Sequence, residues 1–124
     1  MIKIDSDKTI RITRGDTASL VIKSKNADNT DYEFQVGDVI CFRIMKQNDV
    51  KSVKLEKEVE VQSVTTSVNI HLDSDDTEFD DYASKPITYW YEVEIKGSTS
   101  NSTIIGYDED GAKLFIIYPE GADE

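Results

Sequence analysis

The sequence contains one cysteine and one histidine in 124 residues, and this scarcity excludes several kinds of chemistry. Cys41 has no partner for a disulfide within the chain and cannot build a zinc site from clustered cysteines. His71 alone excludes sites with two histidine ligands and leaves little room for a catalytic centre based on histidine. No apolar run reaches the 18 residues of a membrane-spanning helix, and no signal-peptide segment follows Met1. We therefore expect no metal, no cofactor and no membrane insertion.

Positive charge is also scarce. The chain has 14 lysines and arginines against 25 aspartates and glutamates, so its formal net charge is −11. Proteins that bind nucleic acid or anionic membrane surfaces use an excess of lysine and arginine. We therefore expect neither nucleic acid nor a membrane as a partner.

A chain of this length fits one domain, and such a domain buries roughly two thirds of its unfolded surface without a disulfide or a metal. We expect residues 1–124 to form one domain. The residues after the last strand, 119–124, are predicted to be a frayed acidic tail.

Apolar and polar residues alternate along most of the chain, and a period of two places each set on one face of a strand. Over Val53–Gln62 an amphipathic helix is the rival interpretation, because Leu55 and Val59 are four residues apart, but the β-branched valines favour a strand. The predicted strands are Thr9–Arg14, Thr17–Ser24, Val39–Lys46, Val53–Gln62, Val68–Leu72, Ile87–Lys96, Thr103–Tyr107 and Lys113–Tyr118, with a short edge strand at Tyr32–Phe34.

The first two predicted strands are separated by Arg14-Gly15-Asp16, where Gly15 can supply a positive φ. We expect an antiparallel hairpin or a close meander here. Integrin ligands present the same tripeptide on exposed loops, but glycine and aspartate are common turn formers, so we interpret it as a plain turn.

Seven to nine short strands at a spacing of roughly 8–12 residues are typical of an all-β, antiparallel β-sandwich with Ig-like architecture. The Cys…Trp…Cys core of antibody domains is absent. One short helical segment of one or two turns is predicted near residues 73–83. Asp73 or Ser74 would cap it, and Phe79 and Tyr82 would anchor it to a sheet.

Acidic residues are densest in the same segment. They could hold a hard cation such as calcium, but the residue order of an EF-hand loop is absent, so we expect a solvated helix start. Paired carboxylates can also hydrolyse glycosides, yet such pairs arise by chance in so acidic a chain. We predict no enzymatic activity and no catalytic residues. The acidic run comprises Asp73, Asp75, Asp76, Glu78, Asp80 and Asp81.

Three consecutive aromatic residues, Tyr89, Trp90 and Tyr91, are the candidate contact residues. Aromatic side chains on strands form sugar-stacking surfaces and dominate protein interfaces. If the tyrosines face the core, Trp90 lies on the opposite face, either exposed as a contact residue or covered by the 73–85 segment. Both alternatives remain open at this stage.

Three parts of the sequence form a recognisable set: IRITRGDTASLVI at Ile10–Ile22, GDVICFRIMK at Gly37–Lys46, and the closing pair TYWYEVEIKG at Thr88–Gly97 and GAKLFIIYPEG at Gly111–Gly121. Together they resemble small tail-associated proteins of bacteriophages and prophages. Such proteins are similar to the N-terminal domain of the upper baseplate protein of siphophages that infect Gram-positive bacteria. This resemblance covers nearly the whole chain and carries no catalytic residues.

The resemblance implies a β-sandwich module that docks onto a phage baseplate or tail tip. In longer relatives receptor-binding parts follow, and because this chain stops near Glu124 we expect an assembly or adaptor role. The implied partners are other tail or baseplate proteins or further copies of the chain. The implied location is the virion, assembled in the bacterial host cytoplasm. The alternatives are a carbohydrate-binding module for bacterial surface polysaccharide, which requires an exposed Trp90, and a calcium-dependent adhesin-like domain.

Overall fold

Nine β-strands make up most of the part of the chain that the computed structural model describes, which is residues 2–47, 49–80, 84–97 and 101–120. The predicted all-β class is confirmed. A single 3₁₀ turn, Ser74–Thr77, is the helical element of these ranges, and no helix in them is long and apolar enough to cross a membrane. The strands are β1 (Ile2–Ile4), β2 (Ile10–Thr13), β3 (Ala18–Ile22), β4 (Val39–Lys46), β5 (Asp49–Glu60), β6 (Val68–Leu72), β7 (Ile87–Lys96), β8 (Asn101–Ile105) and β9 (Lys113–Tyr118).

The strands form two sheets of very different size. The large sheet has the order β1-β2-β9-β7-β4-β5, and β8 pairs with the second half of β7. The small sheet consists of β3 and β6 alone, paired antiparallel from Ala18↔Leu72 to Ile22↔Val68. Apolar side chains of both sheets meet in one core, so the arrangement is sandwich-like.

Two sequence predictions about strand pairing are wrong. The sheets are not purely antiparallel, because β2 pairs with β9 in parallel, with Ile10 opposite Phe115. The predicted β2–β3 hairpin is also absent, since these strands belong to different sheets. Alternation fixes which face of a strand is buried, but it does not choose the hydrogen-bonding partner.

The turn at Arg14-Gly15-Asp16 carries the chain from one sheet to the other. Gly15 has a φ of 84°, a conformation that residues with a side chain rarely adopt. Its N–H donates to Thr77 Oγ1 at 2.7 Å, and Arg14 donates to Glu120 at 2.8 Å and to the Asp80 carbonyl at 3.3 Å. The tripeptide is therefore a structural turn with its arginine engaged internally. Of the predicted acidic tail, Glu120 makes this ion pair, and residues 121–124 lie outside the described ranges.

Aromatic rings fill the centre of the core. Phe42 lies 5.7 Å from Tyr91 and 6.1 Å from Phe115, measured between ring centroids. Such tilted and edge-on contacts add stability beyond the area that they bury. The predicted inward face of β4 is confirmed, since Ile40, Phe42 and Ile44 are fully buried.

Residues 49–60 form strand β5, so the helical alternative is wrong, but the predicted apolar stripe is interrupted. Leu55 pairs with Ile44 and Val53 with Met45, with a register shift between the two pairs. At such a bulge, two residues of one strand lie opposite one residue of the other strand. Beyond the bulge, the side chains of the bulged strand that would have faced the core face the outside instead. Val53 consequently leaves the core face and is exposed.

The predicted helical segment is a single 3₁₀ turn. Its entry is held by Asp73, whose N–H donates to the Asp76 carboxylate at 2.7 Å, and Phe79 packs edge-on against Tyr89 at 5.1 Å. Tyr82, the second predicted anchor, lies outside the described residues. The predicted edge strand at Tyr32–Phe34 is reduced to an isolated bridge between Phe34 and Thr65.

Candidate functional site

The three aromatic candidates are divided between the two faces of β7. Tyr89 and Tyr91 are each 4% exposed and belong to the core, whereas Trp90 lies on the outer face of the large sheet and is half-buried. Alternation along the strand separates them. Trp90 is therefore the member of the trio that a ligand can reach from outside.

Both tyrosine hydroxyls hold neighbouring segments against the core. Tyr89 donates to the Asp80 carboxylate at 2.6 Å, and Tyr91 donates to the Lys8 carbonyl at 2.6 Å. Burial raises the pKa of each phenol, so both stay protonated donors. These contacts assign the two tyrosines a structural role.

Trp90 forms an aromatic pair with Tyr107 on the outer face. The ring centroids are 5.9 Å apart with an interplanar angle of 63°, and Tyr107 is 75% exposed. In register, Trp90 lies beside Met45 on one side and Leu114 on the other. Phe79, two residues after the 3₁₀ turn, packs on Tyr89, which points away from this face. The described part of the 73–85 segment thus leaves Trp90 half-buried, and residues 81–83 of that segment lie outside the described ranges.

Charged side chains cluster on the outer face where β5, β4 and β7 lie side by side. Arg43 donates to Glu56, to Glu94 at 3.0 Å and to Glu92 at 3.3 Å, so one guanidinium holds carboxylates of two neighbouring strands. The arginine lowers the pKa of Glu56 through its hydrogen bond. This cluster is fully paired and stabilises strand association rather than offering free charge to a ligand.

Cys41, Glu56 and Glu58 are the one set of potential metal ligands that lie within 4.8 Å of one another in the described ranges. The thiol is buried, and burial raises its pKa to about 11, which disfavours the thiolate that binds metals. Glu56 is engaged by Arg43, and Glu58 by Lys96 at 3.1 Å. The three residues therefore fit an ion-pair cluster better than a metal site.

The acidic segment does not converge on a common point. Among its described carboxylates, Asp76 pairs with Lys57 at 2.9 Å and Asp80 with Lys54 at 3.2 Å. Asp73 lies 3.0 Å from His71. These three carboxylates thus contact side chains from other elements in different directions, which disperses the ligands that a calcium ion requires together.

Ser19, His71 and Asp73 form a serine–histidine–aspartate array on the outer face of the small sheet, which the sequence analysis did not anticipate. His71 Nδ1 lies 3.4 Å from Ser19 Oγ, and Nε2 lies 3.0 Å from Asp73. In serine hydrolases the acid is buried and backbone N–H groups form an oxyanion hole beside the serine. Here all three residues are exposed, so the aspartate is not buried. The array lacks the surroundings that acyl transfer requires.

An apolar groove opens between the two sheets, where β1 and β2 face β3. It encloses about 420 Å³, and its floor is built from core residues that include Phe42 and Tyr91. The groove is lined by Ile4, Lys8, Ile10, Leu20, Val21, Ile22, Lys23, Phe42, Tyr91 and Ile105.

The groove exists because the small sheet is too narrow to cover the large one. Ile2 and Ile4 pair with Ile12 and Ile10, and directly opposite residues of a pair share a face. Yet Ile2 is 42% and Ile4 54% exposed, whereas Ile10 and Ile12 are at most 4% exposed. The core face of the sheet therefore continues beyond the cover that β3 provides. Sequence analysis missed β1, although the alternation Ile2-Lys3-Ile4 is the signal that identifies it.

No protein-family model matches this chain, and neither the curated proteins nor the solved structures contain a match to it. The groove and the Trp90 face are thus the two surfaces on which a functional argument rests.

Proposed function

We propose that this protein is a non-enzymatic assembly component that acts through protein–protein contacts, of the kind found in the tails or baseplates of phages and prophages. One observation carries the proposal: the core face of the large sheet is left uncovered along β1, beside an apolar groove that reaches the core. Contiguous apolar surface of this kind is disfavoured in water and marks interaction sites. The phage context rests on the sequence resemblance.

The strand order supports an Ig-like relationship. The order β9-β7-β4-β5 corresponds to strands G, F, C and C′ of a variable-type domain, and β3-β6 corresponds to B and E. In this assignment, the small sheet has no strand equivalent to A or D among the residues that the structure describes. Both of its edges are consequently available for contact with a partner.

The proposed partners are other tail or baseplate proteins or further copies of the chain, in a virion that assembles in the host cytoplasm. A net charge of −11 suppresses non-specific association until a complementary surface is met. Away from Lys8 and Lys23, which line the groove, the charge also makes partners with basic or neutral contact surfaces more favourable than acidic ones.

Sedimentation velocity tests this function directly. The purified chain is mixed with each structural protein encoded beside it in its genome, and a defined complex is expected with at least one of them. Ile4→Asp should weaken this complex, because a charge in the groove opposes apolar contact. Val64→Asp is the matched control, since Val64 is 53% exposed and lies outside the groove. A chain that stays monomeric and binds none of these proteins would contradict the proposal.

Carbohydrate binding is the second candidate function, and the accessible Trp90–Tyr107 pair favours it. Aromatic faces on a strand surface can stack against sugar rings. A glycan array of bacterial surface polysaccharides tests this function. We expect binding to disappear in Trp90→Ala and to persist in Trp90→Phe, which retains an aromatic ring. Absence of any glycan bound by the wild-type protein would remove this candidate.

A further inference from the structure

We propose that the free edge of β3 accepts an extended segment of a partner protein as an additional strand of the small sheet, with carboxylates of that segment paired to Lys8 and Lys23. The inference rests on the proposed assembly function and specifies how the contact is made. The added strand would lie over the groove and cover the exposed side chains of β1.

The first support is the hydrogen-bonding state of β3. In the described residues β3 pairs with β6 on one side and with no strand on the other. In an antiparallel pair, alternate residues direct their N–H and C=O groups away from the partner strand. The open side of β3 thus presents a row of backbone donors and acceptors, which is the template for strand addition.

The second support is the position of the groove relative to this edge. Leu20, Val21 and Ile22 of β3 line one wall, and Ile4 and Ile10 line the other. A strand added beside β3 places every second side chain on the core face of the sheet. Those side chains would enter the groove and contact Ile4 and the floor residues. An extended segment with apolar residues at alternate positions is therefore the shape that fits.

The third support is charge. Lys8 and Lys23 line the groove, and neither forms an ion pair with any residue in the described ranges, in contrast to Lys54, Lys57 and Lys96. Lys46, Lys51 and Lys85 form no ion pair in these ranges either, so what distinguishes Lys8 and Lys23 is their position at the apolar opening. They complement carboxylates on the polar side of an incoming strand.

Lys8 is also held in place by its backbone. Its φ is 72°, a conformation that is uncommon for residues other than glycine. Its N–H donates to the Asp5 carbonyl at 2.9 Å, and its own carbonyl accepts the Tyr91 hydroxyl. The side chain is thus displayed beside the groove from a fixed point, which suits it to define the register of a bound strand.

The same observations disfavour two other occupants. An acyl chain could fill the groove and place its carboxylate near a lysine, but it would leave the backbone groups of β3 without partners. A second copy of this chain would itself have a net charge of −11, and the two copies would repel each other. An extended segment with local carboxylates satisfies the backbone, the groove and the lysines together.

Nuclear magnetic resonance with the full-length, isotope-labelled chain tests the inference. The probe is a synthetic decapeptide with valine and threonine in alternation and aspartate at two of the threonine positions. Two control peptides carry lysine instead of aspartate or have the same composition in scrambled order. We expect the aspartate peptide to slow hydrogen exchange at alternate amides of β3 and to shift the signals of Ile4 and Leu20. The lysine peptide should bind about tenfold more weakly, and the scrambled peptide should give no protection.

Charge reversal supplies the matched variant. In a Lys8→Glu/Lys23→Glu protein the preference should invert, so that the lysine peptide binds more tightly than the aspartate peptide. Both lysines are exposed, and the substitutions should leave the fold unchanged. An unchanged preference, or peptide protection at β1 instead of β3, would overturn the inference.

Oleate is the probe for the competing lipid interpretation. If oleate shifts the groove signals and no peptide slows hydrogen exchange at the β3 amides, the groove is a lipid site. Strand addition is then refuted. Sedimentation velocity tests the assembly function separately, by measuring whether a complex with a tail protein forms. A complex with a tail protein that forms equally well in the charge-reversed variant and in Ile4→Asp would leave the function intact and refute the strand mode. Loss of every complex and of every peptide signal would refute both.

Discussion

Replacing Tyr89 by phenylalanine removes the hydroxyl that donates to Asp80 at 2.6 Å and leaves the ring in the core. A hydrogen bond to a charged acceptor contributes about 1.5–3 kcal/mol to the free energy of unfolding. Asp80 is partly exposed and also pairs with Lys54, so the lower end of this range applies. We expect Tyr89→Phe to lower the free energy of unfolding by about 1.5 kcal/mol, which corresponds to about 5 °C in Tm.

A double-mutant cycle with Asp80→Asn isolates the interaction, and denaturant unfolding measures it. We expect the coupling energy between Tyr89 and Asp80 to be about 1 kcal/mol. Tyr107→Phe is the control, because that hydroxyl lies on an exposed side chain and its loss should change stability by less than about 0.5 kcal/mol. If Tyr89→Phe and Tyr107→Phe cost the same, the structural role of Tyr89 is refuted.

The effect of Tyr89→Phe should also depend on pH in a defined direction. The hydrogen bond from Tyr89, followed by that from Lys54, lowers the pKa of Asp80 below its ordinary value of 3.8. The ionised carboxylate thus stabilises the fold above that value, and the contribution is lost as the pH falls through the lowered pKa. The difference between wild type and variant should be full at about pH 6 and shrink below about pH 3.8. A difference that grows on acidification would contradict this sign.

Three further predictions test other parts of the fold. The Cys41 thiol, whose pKa is about 11 instead of 9.0, should react with iodoacetamide about a hundredfold more slowly in the folded than in the unfolded chain, and equal rates would contradict its burial. Gly15→Ala and Gly37→Ala should each cost about 1–2 kcal/mol in denaturant unfolding, because both glycines have positive φ. The two costs should agree, since a Cβ at Gly15 meets only the ends of the flexible Glu78 and Glu120 side chains, at 3.0 and 3.7 Å. A clearly larger cost at Gly15 would show that these contacts are rigid. Arg43→Met should cost about 2 kcal/mol at neutral pH by removing the arginine that pairs with Glu56, Glu92 and Glu94. This loss should diminish in acid melts as Glu56, whose pKa the arginine lowers, becomes protonated, whereas a loss that is independent of pH would assign it to packing.

The sequence was sufficient to predict which side chains are buried along most strands. In β7 the alternation identified the core residues, because burial on one face is a local property of a strand. In β4 it identified Ile40, Phe42 and Ile44, but Met45 on the other face is buried as well. It could not predict the partners of β2, which pairs with a strand about a hundred residues away. Pairing depends on the whole set of strands competing for edges, and a periodic pattern contains no information on that competition.

The candidate site, too, could be predicted from the sequence only in part. The sequence predicts that Trp90 lies on the face opposite Tyr89 and Tyr91, because neighbouring residues in a strand point to opposite faces, and the structure confirms this. The groove was not predictable, because it arises from the mismatch in width between two sheets rather than from any motif. Ile4 resembles a core residue in sequence, and only the absence of a covering strand exposes it.

The parallel contact between β2 and β9 affects how the fold responds to tension applied through residues 2 and 120. Such a pull would first peel away the three-residue β1, whose few hydrogen bonds break one after another. The load would then slide β2 lengthwise against β9, so that all the bonds of their four-residue ladder are strained at the same moment. Strand pairs loaded in shear resist rupture better than pairs that unzip. Under this tension β1 should therefore detach first, and the β2–β9 pair should then resist further extension.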